Sequence, residues 1–168
     1  QAAVFPGVQG SIHTQVIAAK AVCFGEALKP AFRAYAAQVR TNARTLAKTL
    51  SLRGIQIVSG GTDTHVVLLD LSRQGLTGGA AEKILEASNI TSNKNPVPFD
   101  RRNPAEWTGL RLGSGAATTR GLKEAEFSEL GDIIADLLLA AACGDSQTVT
   151  EDARQRCALL CTRFPIYP

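Results

Sequence analysis

The segment Thr108-Gly109-Leu110-Arg111-Leu112-Gly113-Ser114-Gly115-Ala116 sets one arginine inside a short, apolar, glycine-rich run. Leucines flank Arg111 and glycines close both ends, which reads as a strand of a few residues. A cation in such a strand is expected to be buried, and a buried guanidinium without a partner is very costly. The partner should be a carboxylate. Spacing alone leaves two sources open. One is a protein side chain such as Asp70. The other is a small ligand, whose carboxylate a planar guanidinium grips through two parallel hydrogen bonds.

The rest of the chain predicts a frame for that strand. Residues 1–10 form a turn-rich opening loop. Val16, Ile17, Ala19, Ala21, Val22, Phe24 and Leu28 predict an apolar helix. Pro30 fits the first turn of a second helix, over about 31–52. Its apolar positions Tyr35, Val39, Ala43, Leu46, Ala47 and Leu50 recur at threes and fours, and Arg40, Arg44 and Lys48 form its solvated stripe. Arg53-Gly54 reads as its C-cap. Strands are expected at 55–58, 65–71, 90–92 and 110–112. Further helices are expected at 80–88, capped by Thr77, at 123–142 and at 151–163. A polar loop carrying Pro96, Pro98 and Pro104 spans 93–106, and 143–148 reads as a linker. The order predicts an α+β fold, a small mixed or antiparallel sheet with packed helices. Residues 1–53 read as one part, an opening loop and long helical segment, and 54–168 as a second, the α/β unit.

Composition narrows the function classes. The 168 residues are 45% hydrophobic and 20% charged, the range of a globular domain. A net charge of +3, spread along the chain, makes no case for nucleic acid. No run is long and apolar enough to span a bilayer, and a cytoplasmic setting is expected. Cys23, Cys143, Cys157 and Cys161 show no zinc spacing, so no metal site is expected. They read as free buried thiols in a reducing compartment, with a redox or metal role as the alternative. There is no methionine, and the chain begins at Gln1. The expectation is a piece of a longer protein or a cleavage product.

Other residues carry chemistry with alternatives still open. Asn95 can donate and accept at once, which suits a heterocycle with alternating groups, or it can satisfy its own backbone in an Asx-turn. Gly7, Gly10 and Ser11 precede a helix and could offer N–H groups to a phosphate, or form a structural turn. His13 and His65 could act as bases or simply hydrogen-bond. Thr118-Thr119-Arg120 reads as a helix cap with Arg120 as a tether.

Taken together, these blocks resemble the C-terminal part of the serine hydroxymethyltransferase family. The resemblance rests on Ala3-Val4-Phe5-Pro6-Gly7-Val8-Gln9-Gly10, Val16-Ile17-Ala18-Ala19-Lys20-Ala21, Ser59-Gly60-Gly61-Thr62-Asp63 and Asn89-Ile90-Thr91. It rests equally on Asn93-Lys94-Asn95-Pro96-Val97-Pro98, Gly109-Leu110-Arg111-Leu112-Gly113 and Phe164-Pro165-Ile166-Tyr167. It implies the small domain of a fold-type I pyridoxal-phosphate enzyme, joined by a long helix to a large domain. The implied activity interconverts serine and glycine, with tetrahydrofolate as one-carbon acceptor, in a homodimer or higher oligomer. By resemblance Arg111 takes the amino-acid carboxylate and Asn95 contacts the pterin ring. Gly10 and Ser11 reach the cofactor phosphate of the neighbouring subunit.

Departures accompany the match. Ser11-Ile12 stands where the family usually has Gly-Pro, Gln15 replaces a histidine, and Gly115 replaces a proline. They raise the alternative of an α-substituted serine as substrate. The family's cofactor lysine lies in a Thr/His-rich segment upstream, and Lys20, Lys29, Lys48, Lys83, Lys94 and Lys123 lie in no such segment. The resemblance thus implies a chain that works only with an upstream, lysine-bearing segment. A non-catalytic remnant or assembly domain is the other reading.

Overall fold

The computed structural model describes residues 1–144 and 147–166. Two helices open the chain, α1 (Thr14–Ala27) and α2 (Pro30–Leu52). They lead to β1 (Gln56–Ile57), β2 (Val66–Asp70), α3 (Gly78–Ala87), β3 (Asn93–Asn95) and β4 (Gly109–Gly113). Then come a short α4 (Gly115–Thr119), α5 (Glu124–Ala142) and α6 (Gln147–Arg163). The four strands make one antiparallel sheet in the order β1-β2-β4-β3, the expected α+β arrangement.

The chain divides into two compact units, Gln1–Ala36 and Ala37–Pro168. The division falls inside α2, not after it at residue 53. The reason is packing: Ala43, Leu46, Ala47 and Leu50 of α2 belong to the core of the second unit. In the first unit, α1 buries none of its residues and its apolar side chains are exposed. Phe32 and Tyr35 place their ring centroids 5.8 Å apart.

In the second unit one face of the sheet is covered. Val67, Leu69, Leu110 and Leu112 alternate inward along β2 and β4 and join Leu85, Phe127, Ile133, Ile134, Leu137 and Leu138 from the helices. Two turns follow the chemistry of their residues. α2 ends in left-handed Gly54, after which Ile55 N–H donates to Leu50 O at 3.0 Å. α3 ends the same way with left-handed Asn89 and Ile90 N–H on Leu85 O at 2.9 Å. The Thr77 hydroxyl accepts from Ala80 N–H at 3.2 Å, the expected cap.

Three boundaries differ from the sequence expectation. The third strand is Asn93–Asn95, not 90–92, because it is Asn93 to Asn95 that pair with β4. Residues 115–119 form the helix α4, and Arg120 follows it as a tether, donating to Phe164 O at 2.8 Å and Cys161 O at 3.1 Å. Of the linker expected at 143–148, Gln147 and Thr148 belong to α6, and 145–146 lie outside the described residues.

One buried polar residue locks α2 to the segment after β4. Asn42 is fully buried; it donates to the Thr118 hydroxyl at 2.8 Å and Leu122 O at 2.9 Å and accepts from Gln38 at 2.9 Å. Removing the amide leaves the buried Leu122 carbonyl without its donor and takes one bond from the Thr118 hydroxyl, which keeps its bond to Ser114 O at 2.7 Å; a buried group left unpaired costs more than a neutral hydrogen bond contributes. Asn42→Ala should lower stability by roughly 2 kcal/mol or more in urea denaturation. A midpoint unchanged from wild type would show that water or repacking satisfies Thr118 and Leu122.

Candidate functional site

Strand alternation decides where Arg111 points. Leu110 and Leu112 enter the core, so Arg111 between them lies on the opposite, outer face and is exposed. This corrects the expectation of a buried cation. The apolar neighbours are real, but a period of two sends them to the other side. In register, Leu68 of β2 and Asn93 of β3 flank Arg111. The Arg111 guanidinium donates to Asn93 Oδ1 at 3.3 Å. Among the described residues it meets no carboxylate.

Asp70 is not its partner. It stands beside Gly109 and accepts from the Thr108 hydroxyl at 3.1 Å and from Ser72 N–H at 3.0 Å. Burial would raise its carboxyl, but the hydrogen bonds from Ser72 and Thr108 outweigh burial and hold it below the ordinary range. Thr108 also accepts from Arg102 at 3.0 Å, and Arg102 grips Asp100 through two 2.8 Å bonds. Arg102 thereby holds Asp100 below the usual carboxylate range as well. This chain of contacts pins the loop between β3 and β4 to the sheet.

Asn95 shares the face of Asn93 and Arg111, two residues along β3. Its amide donates to the Pro96 carbonyl at 2.9 Å, a local backbone contact but not an Asx-turn, in which the side-chain oxygen would accept from an N–H two residues on. It lies opposite Gly109, and the close strand approach explains that glycine: a Cβ there would sit 2.2 Å from Asn95 O. Gly78 has the same origin, since its Cβ would sit 2.2 Å from Gly109 O.

Gly10 and Ser11 lie in the other unit, exposed, ahead of α1. Their N–H groups take part in no backbone hydrogen bond among the described residues, which leaves them free for an anion. His13 occupies the N-cap position of α1 without a side-chain cap bond. The His65 side chain is exposed, while its carbonyl accepts from Ser114 N–H at 3.0 Å.

The cysteines correct another expectation. Only Cys157 is buried; Cys23, Cys143 and Cys161 are exposed. Burial first, and then the neighbouring Cys161, push the Cys157 thiol up to about 11, so it stays protonated and non-nucleophilic at neutral pH. No group of three potential metal ligands occurs among the described residues. None of the described helices is long and apolar enough to cross a membrane.

The residues that spacing missed are Asn93, Thr108 and Arg102. Asn93 was legible in principle: two residues before Asn95 on one strand, it must share its face. The Arg102 contacts arise from the loop's path, which no spacing encodes.

A small antiparallel sheet with helices on one face, and an arginine and two asparagines on the other, defines a class, a small domain of α+β type. The comparisons sharpen it. The family model described as serine hydroxymethyltransferase matches residues 1–134. A 2-methylserine hydroxymethyltransferase from an Aminobacter species is 61% identical over 99% of this chain and 39% of its own length. One from a Paracoccus species is 60% identical over the same shares. A serine hydroxymethyltransferase from Nostoc sp. is 56% identical over 98% of this chain and 38% of its own. The chain belongs to the serine hydroxymethyltransferase family and spans about two fifths of the length of these relatives.

The loop anchor carries a pH prediction. Both Asp70 and Asp100 are depressed, so their stabilisation is complete above the unfolded value near 3.8 and is lost as pH falls through the lower folded values. Thr108→Val removes a bond to ionised Asp70 and raises its folded value toward the ordinary one. The acid-induced change in the emission of Trp107, the single tryptophan, should then move to higher pH. An unmoved midpoint would mean that Thr108 does not carry the loop.

Proposed function

We propose that this chain supplies the amino-acid and folate contacts of a pyridoxal-phosphate-dependent hydroxymethyltransferase that passes a one-carbon unit from a serine to tetrahydrofolate. The observation that carries it is Arg111: exposed on a rigid strand, oriented by a neutral amide, with no carboxylate of the chain among its described partners. That is the state of a guanidinium ready for an outside carboxylate. The bound cofactor supplies the electron sink for the breaking bond. Arg111 fixes the substrate carboxylate through two hydrogen bonds, which limits rotation about Cα and aligns the scissile bond. Asn95 offers donor and acceptor to the pterin edge. The free N–H groups of Gly10 and Ser11 suit the cofactor phosphate of a neighbouring subunit, so the working unit is a dimer or larger. No lysine of this chain lies in the Thr/His-rich context that the cofactor requires. The chain therefore works with the lysine-bearing remainder of its relatives' length and not alone.

The order of identities favours a 2-methylserine substrate over serine. Relatives at 60–61% carry the 2-methylserine name, and those at 55–56% carry the serine name. Both substrates present the same carboxylate. In the complete protein Arg111→Ala should lower kcat/KM for either by at least about a hundredfold, the cost of stranding one partner of a charge pair. Retained turnover on both would overturn the assignment, and a kcat/KM that favours serine would overturn only the 2-methyl preference. Asn93→Asp should raise KM for the amino acid well above Asn93→Ala, because a carboxylate opposite Arg111 competes with the substrate. Equal KM values would show that Asn93 does not set the state of Arg111.

A further inference from the structure

We propose that Phe99 is a contact residue for the folate, an exposed aromatic ring on a restrained loop that stacks on the aromatic portion of the one-carbon acceptor. The proposal rests on the reading of Asn95 as the pterin contact and extends it along the same loop. Val97-Pro98-Phe99-Asp100 is a β-turn closed by Asp100 N–H donating to Val97 O at 3.0 Å. Phe99 has φ 65 and stands at the third position, which in a turn of this hand belongs to glycine or asparagine. A bulky side chain in left-handed backbone is strained, and such strain persists where function requires it. Nothing among the described residues offsets it, because Phe99 is 99% exposed.

The loop that carries the ring is also tied down. Pro96 and Pro98 bracket Val97, and Asp100 is clamped by Arg102, which bonds Thr108. A pre-set loop loses little freedom when a ligand lands on it. The neighbours decide what lands. The turn ends at Asp100 and is followed by Arg101, Arg102 and Asn103, not by an apolar patch. Arg101 is exposed and has no carboxylate partner among the described residues. An aromatic ring two residues before a cation that has no carboxylate partner among the described residues fits an aromatic acid, such as the ring system and glutamyl carboxylates of a folate. It fits an apolar protein surface poorly.

The test uses the complete protein and compares wild type, Phe99→Asn, Phe99→Leu and Asn95→Ala. Dissociation constants for tetrahydrofolate and glycine, thermal midpoints and sedimentation are measured for each. Phe99→Asn and Phe99→Leu should weaken tetrahydrofolate about tenfold, as loss of a stacked ring does. Glycine affinity should be unchanged. The midpoint of Phe99→Asn should not fall, since asparagine tolerates this backbone better than phenylalanine. Wild-type tetrahydrofolate affinity in both Phe99 variants, with weakened binding in Asn95→Ala, would overturn the role of Phe99 alone. Absence of tetrahydrofolate binding by the wild-type protein would overturn it together with the reading of Asn95. A lowered midpoint or loss of the oligomer in Phe99→Asn would overturn it in favour of a structural or subunit contact.

Discussion

Leu110 and Leu112 bury themselves in one core with Val67 and Leu69, and the placement of the candidate site depends on that packing. Each fully buried aliphatic side chain contributes about 1.5–3 kcal/mol relative to exposure. A slip of β4 by one residue would turn both leucines outward and drive Arg111 into the core. The face on which Arg111 stands is therefore as firmly specified as the core itself, although Arg111 takes no part in it. Gly109 adds to this, because only a residue without Cβ allows β3 to approach and bring Asn93 opposite Arg111.

Polar contacts complete what apolar packing leaves undetermined. Leucines hold the sheet to the helices but do not fix the path of the chain between β3 and β4. The run from Asp100 through Arg102 and Thr108 to Asp70 does so, since each bond requires a particular approach. On the opposite side, Asn42 joins α2 to Thr118 and Leu122, and Arg53 of the α2 end bridges Asp132 and Asp136 of α5 at 2.8 and 2.6 Å. These partly exposed pairs add little to stability individually. Their role is to tie the end of α2 to α5.

The long elements were legible because their periods are strong. The threes and fours of α2 place Ala43, Leu46, Ala47 and Leu50 in the core, and Arg40, Arg44 and Lys48 are exposed as expected. The third strand was not, because Asn93-Lys94-Asn95 has poor strand propensity and becomes a strand only by pairing with β4. The expectation of a buried Arg111 fails for a different reason: the average apolarity of the segment suggests burial, whereas the alternation of Leu110, Arg111 and Leu112 sends the arginine outward. Asn42 gave no signal, since one asparagine in an amphipathic helix looks the same whether solvated or fully bonded inside. Asp70 was a reasonable partner for Arg111 by type, but Ser72 and Thr108 reach it first.

A cation that is to receive a ligand carboxylate, the role proposed for Arg111, must be held without being neutralised, and pairing with the Asn93 amide is one way a sheet can do that. A carboxylate at position 93 would orient the guanidinium more strongly and would occupy the donors a ligand needs. An apolar residue there would leave a long, flexible side chain to sample many rotamers, and binding would then lose that freedom. An amide lies between these extremes: its oxygen accepts one N–H at 3.3 Å and carries no net charge. Exposure of Arg111 fits the same logic. Water solvates the charge in the free protein, so no desolvation cost accumulates in the fold, and that cost is met only when a carboxylate of opposite charge arrives to offset it.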